Sequence, residues 1–220
     1  LSLTLQHNIT VVPFSYSVNS IEATYSDKTD FDGKAFYDAM RNGAKVRTSM
    51  IGVGTFIDFF TESLELGHDV LYIGMSGGIS GTANAASIAV KELREKYPNA
   101  NISAIDTCAA SLGEGLLVLE AAKLISQGKT IAEIEKRILQ RKSTMCQYFT
   151  VDNLEYLKRG GRISSAVALV GTILNIKPLL TGDENGKIIM CGKVRGRKQA
   201  LNSLADKYDQ LVLDKKEDIA

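Results

Sequence analysis

Residues 70–97, VLYIGMSGGISGTANAASIAVKELREKY, set three kinds of sequence end to end: a short apolar run, a loop of glycines and hydroxyl residues, and a segment of helical period. An apolar run this short, bounded by turn residues, fits a buried strand, and the longer segment after it fits an amphipathic helix. Residues 9–14 and 102–106 are runs of the same kind, and the segments between the runs are longer, with a period near 3.6. Strands that alternate with helices imply a mainly parallel sheet flanked by helices.

Stop and start signals support the alternation. A segment after Asp32 carries Phe36 and Met40 on one face and ends at Gly43; another places Phe56, Phe59, Phe60 and Leu64 on one face and ends at Gly67. Residues 112–127 end at Gly128. Thr130 with Glu133 then forms a capping box that opens a helix over 131–142, with Ile131, Ile134, Ile138 and Leu139 as its buried stripe.

The pattern changes near Gln147. A strand QYFTV, a short capped helix DNLEYLKRGG and an apolar segment AVALVGTILNI come first. KPLLTG and KIIMCGKV around DENG then read as a hairpin, and a last helix starts near Lys198. The fold expected is α/β with two domains: a parallel-sheet α/β domain over residues 1–146 and an α+β domain with a mainly antiparallel sheet over 147–220.

Composition excludes several classes. With 45% hydrophobic residues in 220, the chain can build real cores. A formal net charge of +1 leaves any anion site to local chemistry. Cys108, Cys146 and Cys191 stand apart and odd in number, which fits neither a disulfide framework nor a zinc site and favours a reducing compartment. No apolar run approaches the roughly 18 residues of a spanning helix, and the opening LSLTLQHN lacks the pattern of a signal peptide. A cytoplasmic protein is expected, with no stable membrane insertion and no metal.

The loop SGGISGT carries the most chemistry. In an open parallel sheet ligands sit beyond the carboxyl ends of the strands, and the helix that follows offers backbone N–H groups and a partial positive charge. Gly77, Gly78 and Gly81 permit close approach of an anion, and Ser80 and Thr82 add hydroxyl donors. The spacing matches neither the Walker A nor the dinucleotide fingerprint. A plain helix cap at Ser80 or Thr82 is the competing reading. Thr48-Ser49 is a second hydroxyl pair, with turn capping as its alternative. The stretches KRGGRIS and KVRGRK offer Arg162 and Arg195 for a phosphate or a partner, but no aromatics are interleaved and nucleic acid is not expected. His7 and His68 pair with no nucleophile in the sequence, Asp106 closes a strand as either an acid-base group or a turn cap, and Cys108 reads as a small apolar filler.

Taken in order, TSMIGVGTF, SGGISGTANAA, AIDTCAASLGEGLLVLEAAKLISQGKT, FTVDNLEYLKRGGRIS, LVGTILNIKPLLT and KVRGRKQAL resemble the signature segments of the DegV family over nearly the whole chain. That family consists of bacterial fatty-acid-binding proteins, some of which present the acyl chain to a separate kinase. The resemblance implies two domains with a fatty acid such as palmitate, stearate or oleate between them, no catalytic residues and no cofactor. By the same resemblance Thr48, Ser49, Ser80, Gly81 and Thr82 hold the carboxylate together with loop amides. Arg162 and Arg195 lie toward the head group and a fatty-acid kinase partner; for the acyl wall Ile173 is a candidate, with Leu169, Val170, Leu174, Ile176 and Phe56 or Phe60 beside it, and ordinary core is the competing and favoured reading of each, because an apolar face looks the same whether it meets protein or ligand. Two positions depart from the family pattern: Ile51 stands where it carries proline, and Gly77 where it carries a serine. The pattern further implies a first strand with a D-S-x-x-D-L motif before residue 1 and a histidine-and-glycine motif after residue 220. The expectation is therefore a non-catalytic fatty-acid carrier. The alternatives are an α/β enzyme acting on a phosphorylated metabolite, with Asp106 as acid or base, and a regulatory protein whose basic second-domain face meets a macromolecule.

Overall fold

Residues 9–13 form no strand in the computed structural model, which describes residues 3–26, 31–163 and 175–213. A short helix, Leu3–Gln6 (α1), comes first, and the chain enters a strand only at Phe14–Val18 (β1), directly after Pro13, which has no N–H to give to a ladder. β1 turns back at once into Ile21–Tyr25 (β2). The turn residues Asn19 and Ser20 have φ of 50° and 69°, the left-handed pair that a two-residue hairpin needs. Gly33–Arg41 (α2) follows, with Asp32 as its N-cap accepting the Ala35 N–H at 2.9 Å, and Gly43 beyond its end at φ 92°. Val46–Thr48 (β3) then pairs antiparallel with the other edge of β1. This sheet, ordered β2-β1-β3, is antiparallel throughout, where strand and helix alternation had predicted parallel pairing.

Parallel pairing begins later in the same unit. Val53–Glu65 (α3), Val70–Gly74 (β4), Thr82–Lys96 (α4), Ile102–Asp106 (β5), Leu112–Ser126 (α5) and Ile131–Thr144 (α6) follow in order, and β4 and β5 run parallel from Val70 opposite Ile102 to Gly74 opposite Asp106. Phe56, Phe60 and Leu64 of α3 pack on Ala85, Ala86, Ala89, Val90 and Leu93 of α4 and on Ile102. Phe56 and Phe60, candidate acyl-wall residues, are instead core: they are 0% and 4% exposed and stack on each other and on Tyr72. An apolar helix face has the same pattern whether it meets protein or ligand.

The capping box forms as expected. Thr130 N–H donates to the Glu133 carboxylate at 2.9 Å and Glu133 N–H to Thr130 Oγ1 at 3.3 Å. With Lys129 beside it, the backbone bond from Thr130 holds the Glu133 carboxyl down at about 2. Ile134 and Ile138 are buried, whereas Leu139, one step round the helix, is 46% exposed. In α5 only Gly113, Leu117 and Ala121 are buried, yet Glu114 in its first turn lies deep enough that burial raises its carboxyl to about 7.

Beyond the last pair of the ladder, Gly74 and Asp106, the chain is tied loop to loop. Thr107 donates both its N–H, at 3.1 Å, and its hydroxyl, at 2.8 Å, to the Gly74 carbonyl. Ser76 N–H reaches the Ala109 carbonyl at 2.8 Å. The Asp106 carboxylate accepts Gly77 N–H at 3.1 Å on one oxygen and Cys108 N–H at 2.8 Å on the other, so one side chain fastens the loop after β4 to the loop after β5. Lys142, from the end of α6, donates its ammonium to the Asp106 carbonyl at 2.5 Å.

The chain divides into two units, residues 1–143 and 144–220. The second contains Tyr148–Phe149 (β6), Glu155–Arg159 (α7), Ile176–Gly182 (β7), Ile188–Arg195 (β8) and Arg197–Leu211 (α8). Its sheet, β6-β7-β8, is antiparallel. Asp183 closes the hairpin by accepting the N–H groups of Asn185 and Lys187, each at 2.9 Å. Leu154, Ile163 and Leu180 form the buried cluster of this unit, with Phe149, Ile188 and Met190 against it. The fold is thus mixed α/β, with a parallel pair in the first unit and an antiparallel sheet in the second.

Two outcomes follow. Asp106→Ala leaves two loop amides without their acceptor and is expected to lower unfolding stability by about 1–3 kcal/mol in a urea titration. Between the ordinary carboxyl range and about pH 7, Glu114 keeps a proton in the folded protein that the unfolded chain releases, so its contribution to stability declines as pH rises through that window. Glu114→Gln should therefore leave unfolding stability, read from urea titrations, unchanged near about pH 4.5 and raise it near about pH 8, by on the order of 1 kcal/mol once partial exposure is discounted.

Candidate functional site

The loop after β4 starts from a fully buried Ser76 and folds back on it. Ser76 carbonyl accepts the N–H groups of Ile79 and Ser80, each at 3.0 Å, and Ser76 Oγ accepts Gly78 N–H at 3.1 Å. With Gly77 N–H on Asp106 and Thr82 N–H on Ser80 Oγ at 3.3 Å, the amides of residues 76–80 and 82 all have acceptors inside the protein. The amide cradle expected from the glycines is therefore turned inward, and Gly81 N–H is the loop amide left without an acceptor among the described residues. A side chain on Gly77 would place its Cβ 2.6 Å from Asp106 Oδ2, so glycine there serves the latch rather than a ligand.

Hydroxyls remain. Ser80 Oγ and Thr82 Oγ1 lie 3.0 Å apart, both half-buried. Ser80 Oγ accepts Thr82 N–H, and Thr82 Oγ1 accepts Ile51 N–H at 3.2 Å. Two hydroxyls offer two protons, and their mutual bond uses one. Whichever oxygen donates in that bond, one O–H is left over, aimed away from the pair.

The Ile51 bond also joins the two predicted hydroxyl segments. Thr48 ends β3, and Ser49 N–H donates to Ser15 carbonyl at 2.9 Å, which holds the chain against β1 as it leaves the sheet. Thr48 and Ser49 are exposed, and contact with the glycine loop runs through their successors. Met50, 55% exposed, lays its sulfur against Gly81, 3.0 Å from where a Cβ would stand, and Ile51 packs on the α3 and α4 core. Sequence reasoning missed Met50, whereas Ile51 stands out in the sequence as a departure from the family's proline, and the N–H that proline lacks is the one that reaches Thr82.

Among the described residues, Asp106, Glu114 and Lys142 bring titratable groups to this end of the parallel pair. Tyr72 crosses over Gly74, where a Cβ would collide with its ring and hydroxyl. Burial, reinforced by the charges of Glu114 and Asp106, pushes the Tyr72 phenol up to about 12, which keeps it neutral. Lys142 meets Asp106 across 36 residues, a distance over which sequence carries no signal. Asp106, with both oxygens on amides, acts as the turn cap that competed with its acid-base reading. Cys108 and Ser111, at φ 51° and 54°, take left-handed conformations in the loop after β5.

Other candidates lie elsewhere. Arg162 and Arg195 belong to the second unit and are exposed; Arg162 turns back to the Gly160 carbonyl, and Arg195 closes β8 opposite Ile176. Ile173, like Leu169, Val170 and Leu174, lies outside the described residues, and Ile176 is half-buried at the start of β7. His7 and His68 are exposed. Among the described residues no group of three or more His, Cys, Asp or Glu is placed to hold a metal, and no helix is long and apolar enough to cross a membrane.

Comparison with known proteins places the chain among relatives. Residues 2–220 match the sequence model of a family described as an uncharacterised protein, DegV family. A DegV domain-containing protein of Clostridium perfringens is 42% identical over 195 residues, which cover 88% of this chain and 67% of that relative. A DegV family protein from Thermus thermophilus, whose structure is described as fatty acid binding, superposes with a TM-score of 0.78 at 31% identity, over 95% of this chain and 72% of its own. A stearic acid-binding protein from Eubacterium ventriosum superposes at 0.80 with 27% identity, over 99% and 74%. With the segments from TSMIGVGTF to KVRGRKQAL inside the matched span, the chain belongs to the DegV family.

Proposed function

We propose that this chain binds a long-chain fatty acid, with the carboxylate at the Ser80–Thr82 hydroxyl pair, and acts as a carrier rather than as an enzyme. The observation that carries the reading is the left-over O–H of that pair, beside the acceptor-free Gly81 N–H. A carboxylate has acceptors only, and these are donors. Thr48 and Ser49, on the segment that Ile51 fastens to the loop, complete the hydroxyl set. Met50 against Gly81 supplies an apolar surface where the chain of the ligand would start.

Energetics divide between the two ends of such a ligand. An acyl chain of about sixteen carbons gains roughly 0.8 kcal/mol per buried methylene, on the order of 12 kcal/mol in all. Ordering and immobilising it cost several kcal/mol, which still leaves sub-micromolar affinity within reach. The head contributes position more than affinity, because a buried carboxylate without donors is costly and one with donors roughly breaks even. An enzyme acting on a phosphorylated metabolite finds less support, since the loop amides are occupied and the Asp106 carboxylate is committed to two of them.

A carrier must hand its cargo on, and a fatty-acid kinase is the partner in this reading. Arg162 and Arg195, exposed in the second unit, are its proposed contacts for the partner or for phosphate.

Mass spectrometry of ligand released from the purified protein should recover near-stoichiometric long-chain fatty acid; an empty protein whose melting temperature rises with sugar phosphates and not with fatty acids would sink the reading. Ser80→Ala is expected to weaken binding of the acid about tenfold at unchanged circular dichroism, since the loss of a cap alone costs about 1 kcal/mol. Arg162→Ala and Arg195→Ala should keep the ligand and lose capture of the kinase in a pull-down; loss of the ligand instead would assign them to the head group.

A further inference from the structure

Two stretches of the first unit carry the spacing of a capping box, and one of them stays open. Thr130 and Glu133 bond each other's backbone, whereas Ser111 and Glu114, equally spaced at the start of α5, make neither half of the box. An N-cap residue has extended backbone, and Ser111, at φ 54° and ψ −122°, does not. Glu114 is left half-buried, with no hydrogen bond or ion pair among the described residues. A carboxyl so placed is costly to keep charged, and such groups gather at functional sites.

Glu114 shares the glycine-loop end of the parallel pair. The helix that carries it, α5, packs on β4. Tyr72 of β4 lies over Gly74, where the loop begins, and the charges of Glu114 and Asp106 both act on that phenol. Asp106, from β5, in turn holds Gly77. From α6, Arg137 and Arg141 pair with Glu120 of α5 at 2.6 Å and 3.6 Å, and Lys142 binds the Asp106 carbonyl. Among the described residues, then, no cation is placed to neutralise Glu114.

We propose that Glu114 is a pH-sensitive gate on the fatty-acid site: with its proton it leaves the ligand carboxylate undisturbed, and without it the two like charges weaken the hold. This rests on the fatty-acid reading above. The proposed head-group donors, Ser80, Thr82 and the Gly81 N–H, are hydroxyls and an amide, which do not titrate near neutrality. Glu114 does: burial raises its carboxyl to about 7, whereas the closed box holds Glu133 at about 2. Tyr72, at about 12, stays neutral throughout. Linkage sets the sign. A bound anion favours the protonated form of Glu114, so binding takes up protons, and affinity falls as pH rises through that range.

The test uses the full chain stripped of lipid and dansyl-undecanoic acid as a fluorescent fatty acid, titrated at about pH 6.5, about pH 7.5 and about pH 8.5, where its own carboxyl is ionised. Hexadecanoate serves as the displacing competitor. Unaltered protein should bind the probe about fivefold more weakly at the highest pH than at the lowest, and Glu114→Gln, which cannot ionise, should bind it equally at all three. Should the variant fail to fold by circular dichroism, calorimetry on the unaltered protein decides: near about pH 7.5 the heats in HEPES and in Tris should differ by the uptake of protons. Affinity in the unaltered protein that is flat or rises with pH overturns the inference and leaves fatty-acid binding intact. So does a fall that Glu114→Gln retains, or binding without proton uptake. A probe that does not bind, or that hexadecanoate does not displace, overturns the inference together with the reading beneath it.

Discussion

The Asp106 carboxylate holds together the loops beyond the end of the parallel pair. A parallel ladder supplies no tight turn between its strands, so what happens past its last pair depends on side chains. Here one aspartate takes an amide from the loop after β4 and another from the loop after β5, while Lys142 grips its carbonyl from α6. Three segments distant in sequence meet at one residue. In this chain the meeting is built around glycine: a Cβ on residue 77 would stand 2.6 Å from the carboxylate, and one of the two would have to shift.

From this latch the rest of the site follows. Once Gly77 is pinned, the chain closes on the buried Ser76 and uses its amides on the Ser76 carbonyl and hydroxyl. That closure brings Ser80 and Thr82 to the surface of the loop at the start of α4, where the segment after β3 meets them through Ile51. Charge is managed in the same place: Tyr72 stays neutral and Glu114 keeps its proton to about pH 7, so neither phenol nor buried carboxyl adds a full negative charge near neutrality.

Local rules made much of this legible in the sequence. Gly43, Gly67 and Gly128 lie just beyond the ends of their helices at positive φ, and the Thr130–Glu133 box forms, because stops and caps depend on residues within a few positions of one another. Ser80 and Thr82 were visible as hydroxyls at a helix start for the same reason. The antiparallel hairpin is hidden in the sequence because residues 9–13 carry the stronger apolar signal, whereas the turn at Asn19 and Ser20 decides the pairing. Phe56 and Phe60 could not be assigned to core or ligand wall, since what an apolar face touches is settled only by packing. The inward direction of the loop amides depends on Asp106, 29 residues beyond Gly77, and no pattern along the chain reveals it.

The inward-turned amides bear on how such a protein changes over time. A recognition surface made of main chain is inherited with the fold and resists alteration, because no codon encodes an N–H on its own. The surface proposed to meet the ligand presents two hydroxyl side chains and a methionine, each replaceable by a single exchange that leaves the latch beneath untouched. On the proposed carrier reading, diversification of cargo can therefore run ahead of any drift in architecture.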